Sequence, residues 1–343
     1  MRLDKDNSGE LKPKKKGLDY FARCEIWQNP LYQLAVIAGT ACFATLFLNF
    51  LPIHARFTQV IIYTSQDEEY SEPIFRDFEK KTGIKVRPVF HSEAVKTVGL
   101  ANRLLAESSH PRCDVFWNNE ELRTRVLASK KVFRETNGWA LLGWRSRRLI
   151  VNTNKLSLDK APSNFSEATN EIWRGKMAVA YPFSGTTPTH FLALRQLWGD
   201  AGWQAWCRAL AANRPFLVDG NSVVAKMVGG GEAAFGFSDS DDTAEEQADG
   251  KPVVPVPIGA ETLIIHNTVG VVRGAPHPAE AQQLFEYLQS PEVQEVLVKK
   301  HALESATPGD PKELPGLKVD WDALLRDLEK GTDEMKEIFL RAK

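Results

Sequence analysis

The sequence predicts an α/β protein of parallel sheets covered by helices, and three observations carry that expectation. From Arg56 onward, short β-branched and apolar runs alternate with segments of helical periodicity, the pattern of repeated β-α-β units. The chain has 343 residues, 43% hydrophobic and 25% charged, enough for two domains with separate cores. Clusters of polar residues directly follow the strand-like runs, at the carboxyl ends where open α/β sheets hold ligands.

The N-terminus differs from the rest of the chain. "KPKKKG" (Lys12–Gly17) is cationic, and Leu31–Leu51 is an uncharged apolar run long enough to span a bilayer. Basic residues before it and a folded body after it predict residues 1–30 as a cytoplasmic or leader segment, with the remainder exported. Residues 31–51 read as a signal-peptide core or a membrane anchor. "IHA" (Ile53–Ala55) is a candidate cleavage site, so secretion and tethering both stay open.

The elements then come in order. "TQVIIYTS" is a strand, and "SEPIFRDFEKKTG" is a helix in which Ile74, Phe75 and Phe78 share a face and Gly83 supplies the stop. "IKVRPVF" and "CDVFW" are strands, each followed by a helix, "EAVKTVGLANRLLAESS" and "EELRTRVLASKKV". After the strand "RLIVNT", "KMAVAYP" and "FLVDG" frame the long helical stretch "HFLALRQLWGDAGWQAWCRALAAN". "AAFGF", "VVPVPI" and "LIIHNTVGVV" are further strands, "HPAEAQQLFEYLQSPEVQEVLVKK" is a helix pair with a Ser-Pro break, and residues 317–343 form a terminal amphipathic helix.

Composition narrows the function. A formal net charge of -1 gives no general attraction for nucleic acid. Of four cysteines, Cys24 and Cys42 precede the exported part, and Cys113 and Cys207 read as buried thiols instead of a disulfide framework. No nucleophile elbow, P-loop, dinucleotide fingerprint, H-E-x-x-H or C-x-x-C is present. An EF-hand starting at Asp239 is excluded, because Ala244 stands where a glycine is needed and Gly250 where a glutamate is.

Five loops after strands are candidates for one cleft: "SQDEE", "NNEE", "FSGTTPT", "DGNS" and "SDSDD". The last is the most demanding, since Asp239, Asp241 and Asp242 crowd three carboxylates into four positions. A helix N-cap is the commoner local explanation of such residues, and both readings stand at this point.

With these loops in view the chain resembles a periplasmic solute-binding protein of an ABC importer, close to the ferric-ion-binding branch. The resemblance covers Thr58 to about Pro308 and rests on "YTSQDEEYSEPIFRDFEKKTGIKV", "CDVFWNNE", "LGWRSRRLIVNTNKLS", "GNSVVAKMVGGGEAAFG" and "HPAEAQQLFEYLQSPEVQEVL". It implies a two-lobed periplasmic-binding-protein fold with two crossing hinge strands. Lobe 1 is expected over 56–148 plus 267–320, lobe 2 over 149–266, and a C-terminal helix over 321–343. It also implies a metal held between the lobes beside a small synergistic anion. Asp67 falls at the family's histidine position, Asn119 or Glu120 at its glutamate, and Asp241 and Asp242 at its tyrosine pair. Ser184, Gly185, Thr186, Thr187, Asn221 and Ser222 match its anion side, and Arg145 or Arg147 is a candidate oxyanion clamp.

The expected ligand site is therefore Gln66, Asp67, Asn119, Glu120, Arg147, Ser184, Gly185, Thr186, Asn221, Asp239, Asp241 and Asp242, with Asp67, Glu120, Asp241 and Asp242 as metal ligands. An oxygen-only set suits a hard cation. The expected function is capture of a metal cation, with or without an anion, for delivery to an ABC permease by a periplasmic or extracytoplasmic monomer. No catalytic cofactor and no nucleic-acid partner are expected, and membrane contact only through the N-terminal segment. Two alternatives are a small organic solute, such as an amine, phosphonate or sugar, and a carboxylate-dependent hydrolase.

Overall fold

The computed structural model describes residues 4–5, 11–12, 58–90, 96–183, 185–308 and 316–341. The chain divides into two compact units, Met1–Arg56 and Phe57–Lys343. In the first, the described residues form one antiparallel pair, β1 (Asp4–Lys5) with β2 (Leu11–Lys12). The expected membrane segment 31–51 and the candidate cleavage site lie outside the described residues. Among the described residues no helix is long and apolar enough to cross a membrane.

The second unit begins with β3 (Gln59–Thr64), α1 (Glu68–Thr82), β4 (Lys85–Val89), α2 (Lys96–Ala106), β5 (Val115–Asn118) and α3 (Glu121–Ser129). α1 carries acids in its first turn and lysines in its last, favourable to its dipole. Gly83 ends it at φ 74°, a left-handed conformation that glycine adopts without strain, and its N–H caps the Glu79 carbonyl. β6 (Trp139–Asn152) is longer than the "RLIVNT" run that announced it. Next come β7 (Met177–Ala180), α4 (Thr186–Ala212, kinked at Gly199), β8 (Phe216–Val218), α5 (Asn221–Gly230), β9 (Phe235–Asp239), α6 (Ser240–Ala248) and β10 (Val253–Val256). β11 (Ile264–Val271), α7 (Pro278–Leu288), α8 (Pro291–Lys299) and α9 (Trp321–Arg341) complete the chain.

The strands join in the order β4-β3-β5-β11-β6-β9-β7-β8, with β10 also on β6. β3, β4 and β5 are parallel, as are β7, β8 and β9. Between these two sets run β6 and β11, antiparallel to their neighbours. The first half of β6 pairs with β11 and its second half with β9 and β10, so a single strand crosses from one half of the molecule to the other. The result is a two-lobed α/β body in which the parallel strands of each half end toward the middle.

Each half buries its own core. Val60, Ile62, Phe78, Val115 and Trp117 pack with Leu284 and Leu297 in one. Leu149, Val179, Phe191, Trp203, Phe235 and Phe237 form the other, and α9 adds Leu324, Met335 and Phe339 to it. Three such side chains contribute roughly 5–9 kcal/mol before the entropy of ordering the helix is counted. Gly331 lets α9 approach α4 closely, since a Cβ there would lie 2.4 Å from Leu192 Cδ2.

Candidate functional site

The ends of β3, β5, β7, β8 and β9 deliver Asp67, Asn119, Gly185 and Thr186, Asp219 to Asn221, and Asp239, Asp241 and Asp242 to one small cavity. Thr97 from α2 and Arg145 from β6 complete its wall, and its volume is about 30 Å³. That is room for a water or two, or for a single ion. The halves touch at the cavity wall, where the Gly185 N–H donates to Thr97 Oγ1 at 3.2 Å. Gly185 holds φ 64° and ψ -148°, a conformation reserved for glycine.

Asp239 sits at the centre of the buried polar groups. It ends β9 directly opposite Arg147 of β6 in the antiparallel register. Arg147 Nη1 donates to its Oδ1 at 2.7 Å and Arg145 Nη2 to its Oδ2 at 3.1 Å. Thr186 Oγ1 lies 3.0 Å from each oxygen, and Asn221 Nδ2 lies 3.4 Å from Oδ2. Asp239 is also the N-cap residue of α6, and its backbone N–H donates to Asp242 Oδ2 at 3.4 Å. The cap and the site are thus the same residues, so the two local readings of "SDSDD" coexist.

One oxygen each from Asp239, Asp241 and Asp242 lie within 4.8 Å of one another. Asp241 Oδ1 lies 3.0 Å from Arg145 Nε without the alignment of a hydrogen bond. Arg145 spans the molecule: its Nη1 also donates to the Asn119 carbonyl at 2.6 Å and to Asn267 Oδ1 at 3.1 Å. Asn267 reaches that position because β11 shifts register between His266 and Thr268, and such bulges re-aim a side chain.

Electrostatics follows from burial. Burial raises the pKa of Asp239, but Arg147 and Arg145 outweigh it and hold the group below the usual carboxylate range. Burial pushes Asp241 up to about 7; Arg145 opposes this, while the charges of Asp239 and Asp67 add to it. His190 lies behind the site, where burial and then Arg147 depress it to about 3. Its Nε2 donates to the Glu261 carbonyl at 2.7 Å, so it stands as neutral imidazole.

The expected residues divide into three groups. Asp67, Asn119, Gly185, Thr186, Asn221, Asp239, Asp241 and Asp242 line the cavity together. Ser184 lies outside the described residues. Glu120, Gln66 and Arg147 differ from expectation. Glu120 does not line the cavity; its carboxylate accepts from the Leu122 and Arg123 N–H groups at 2.6 and 3.0 Å, because α3 begins there and its first donors need a partner. Gln66 is buried and accepts from Asn267 Nδ2 at 2.8 Å. Arg147 lies beneath the cavity and faces Asp239, where a mobile oxyanion was expected. Thr97 and Asn267 went unread in the sequence, since Thr97 lies within α2 and Asn267 within β11 and neither belongs to the polar residues directly after a strand.

Comparison with known proteins places the site in context. Residues 62–301 match the family model described as bacterial extracellular solute-binding protein. The major ferric iron-binding protein of Neisseria meningitidis is 26% identical over 195 residues, covering 50% of this chain and 56% of that protein. The chain therefore spans little more than half the length of the curated relatives it matches. Iron-bound HitA from Pseudomonas aeruginosa superposes with a TM-score of 0.71 at 20% identity, over 82% of this chain and 99% of that one. Apo ferric ion-binding protein A of Pasteurella haemolytica gives 0.68 at 18% identity, over 82% and 98%.

Proposed function

The chain belongs to the bacterial extracellular solute-binding proteins, and from that premise we propose that it captures a metal cation between its lobes and passes it to an ABC permease. The observation that carries this reading is the meeting of Asp239, Asp241 and Asp242 oxygens within 4.8 Å in a cavity of about 30 Å³. A buried carboxylate with a pKa pushed up to about 7 is one short of positive charge, and a cation supplies it. The cation side comprises Asp241, Asp242 and Asp67, with Asp239 beside them. Their oxygens suit a hard cation, and the names of the relatives make ferric iron the first to try. The small volume weighs against a sugar or another extended organic solute.

On this reading the lobes are 56–148 with 267–320, and 149–266. Residues 31–51 act as an export signal or as a tether on an extracytoplasmic monomer. The test is thermal unfolding of the full chain, stripped of metal, against ferric, manganese, calcium and magnesium ions. A ligand that binds only the folded state raises the midpoint by mass action. A saturable rise with one of these ions, lost in Asp241→Ala/Asp242→Ala, is the expected result. Stabilisation by an amine or phosphonate in stripped protein, with none by any metal, overturns it.

A further inference from the structure

We propose that Asp239 is a built-in anion: its carboxylate fills, from within the chain, the place an external oxyanion would take among Arg147, Arg145, Thr186 and Asn221. Cation capture at Asp241 and Asp242 then needs no co-bound anion. The inference rests on the cation reading above for its role, though the geometry behind it does not.

A carboxylate accepts at about four lone-pair positions, and those of Asp239 are all engaged. Oδ1 takes Arg147 Nη1 at 2.7 Å and Thr186 Oγ1 at 3.0 Å. Oδ2 takes Arg145 Nη2 at 3.1 Å and Asn221 Nδ2 at 3.4 Å, and shares the Thr186 hydroxyl at 3.0 Å. Two guanidiniums, a hydroxyl and an amide converging on two oxygens are the donors that recognise an oxyanion. The same groups organise one another: Asn221 Oδ1 accepts from Arg147 Nη1 at 2.8 Å, and Asn221 Nδ2 donates to Thr186 Oγ1 at 2.8 Å.

Position separates this from an ordinary buried ion pair. Thr186, Asn221, Asp239 and Arg145 line the same cavity as Asp241 and Asp242. The antiparallel register of β6 on β9 fixes Arg147 opposite Asp239, so the charge cannot drift out of the cradle. Asp239 thus meets Asp241 and Asp242 as a carboxylate already held by four donors. Its contribution is a fixed negative charge close to the cation, and the donors around it are closed to a visiting anion.

Chemical rescue tests this. The full-length chain and its Asp239→Ala variant are stripped of metal, and thermal midpoints are recorded against sodium formate and sodium phosphate, with sodium chloride at matched ionic strength as control. Removing the side chain opens a formate-sized gap lined by the four donors. The expected result is a saturable rise of several degrees for Asp239→Ala with formate or phosphate, and none for the parent beyond the chloride control. An equal response from the parent overturns the proposal, as does a folded Asp239→Ala variant indifferent to both anions. Should Asp239→Ala not fold in dilute buffer, recovery of soluble protein on refolding with and without formate replaces the midpoint: formate-dependent recovery supports the proposal, and formate-independent failure overturns it. No metal enters these measurements. Their failure leaves cation capture standing, and failure of the metal panel leaves the built-in anion standing.

Discussion

Arg147 and Asp239 face each other across β6 and β9, Nη1 to Oδ1 at 2.7 Å, with both side chains sealed from solvent. This pair decides what the cleft can do, because it fixes one charge of the carboxylate cluster and leaves the chemistry to the others.

Breaking the pair from the basic side leaves the buried Asp239 carboxylate with Arg145 but without the nearer of its two guanidiniums. Arg147→Met is expected to destabilise the metal-free fold by about 3–5 kcal/mol, and adding Asp239→Leu to it is expected to restore part of the loss. Urea unfolding of the single and double variants measures both.

Asp241 makes the stability of the metal-free fold fall as pH rises. Its pKa is raised in the folded state to about 7 from an ordinary 3.8, so the fold binds the extra proton between those values. Its contribution is present in full below the ordinary value and is lost as pH rises through 7. Metal-free Asp241→Asn should therefore be the more stable protein at pH 8, and its midpoint should vary less with pH from 4 to 8 than that of the parent.

On the proposed reading, the same proton competes with the metal. Apparent affinity for a stabilising metal should fall as pH drops below 7, approaching about tenfold per unit where one proton is displaced. Titration at pH 6 and 7 reads this directly, and the dependence should vanish in Asp241→Asn along with most of the affinity.

Glu120 separates a cap from a ligand. Because its oxygens accept from the Leu122 and Arg123 amides, Glu120→Ala should cost about 0.5–2 kcal/mol of stability while the metal-induced rise in midpoint persists. Loss of that rise with the fold intact would restore Glu120 to the ligand set.

Gly185→Ala probes the contact between the halves. A Cβ there would meet nothing nearer than Asn221 Nδ2 at 3.9 Å, so space is not the obstacle. The backbone conformation is, and a cost of about 1–3 kcal/mol is expected. Thr97→Val removes the acceptor of the Gly185 N–H and should speed ligand release in stopped-flow chelation with little change in stability.

Much of this was legible in the sequence because local pattern determined it. The strands of both halves are apolar runs bounded by polar turns, and Gly83 marks the end of α1 as its spacing implies. The five loops after "VIIYT", "CDVFW", "MAVAYP", "FLV" and "AFGF" do reach one cavity, since the carboxyl ends of parallel strands share an edge. α5 went unread because its last turn is "GG", residues that favour turns, and only the left-handed Gly231 at φ 77° shows them ending a helix. The pairing of Arg147 with Asp239 depends on the register between strands distant in sequence, which no window of residues contains. The capping contacts of Glu120 were not legible for a related reason: a carboxylate beside a cleft and one capping the helix behind it have the same one-letter context.

α9 seals the second core with Leu324, Met335 and Phe339, far along the chain from most of the strands they cover. The lobe that carries the aspartate cluster therefore cannot complete its interior until this helix has docked. Without α9 that half would be left with an open, oily wound and a short lifetime among proteases.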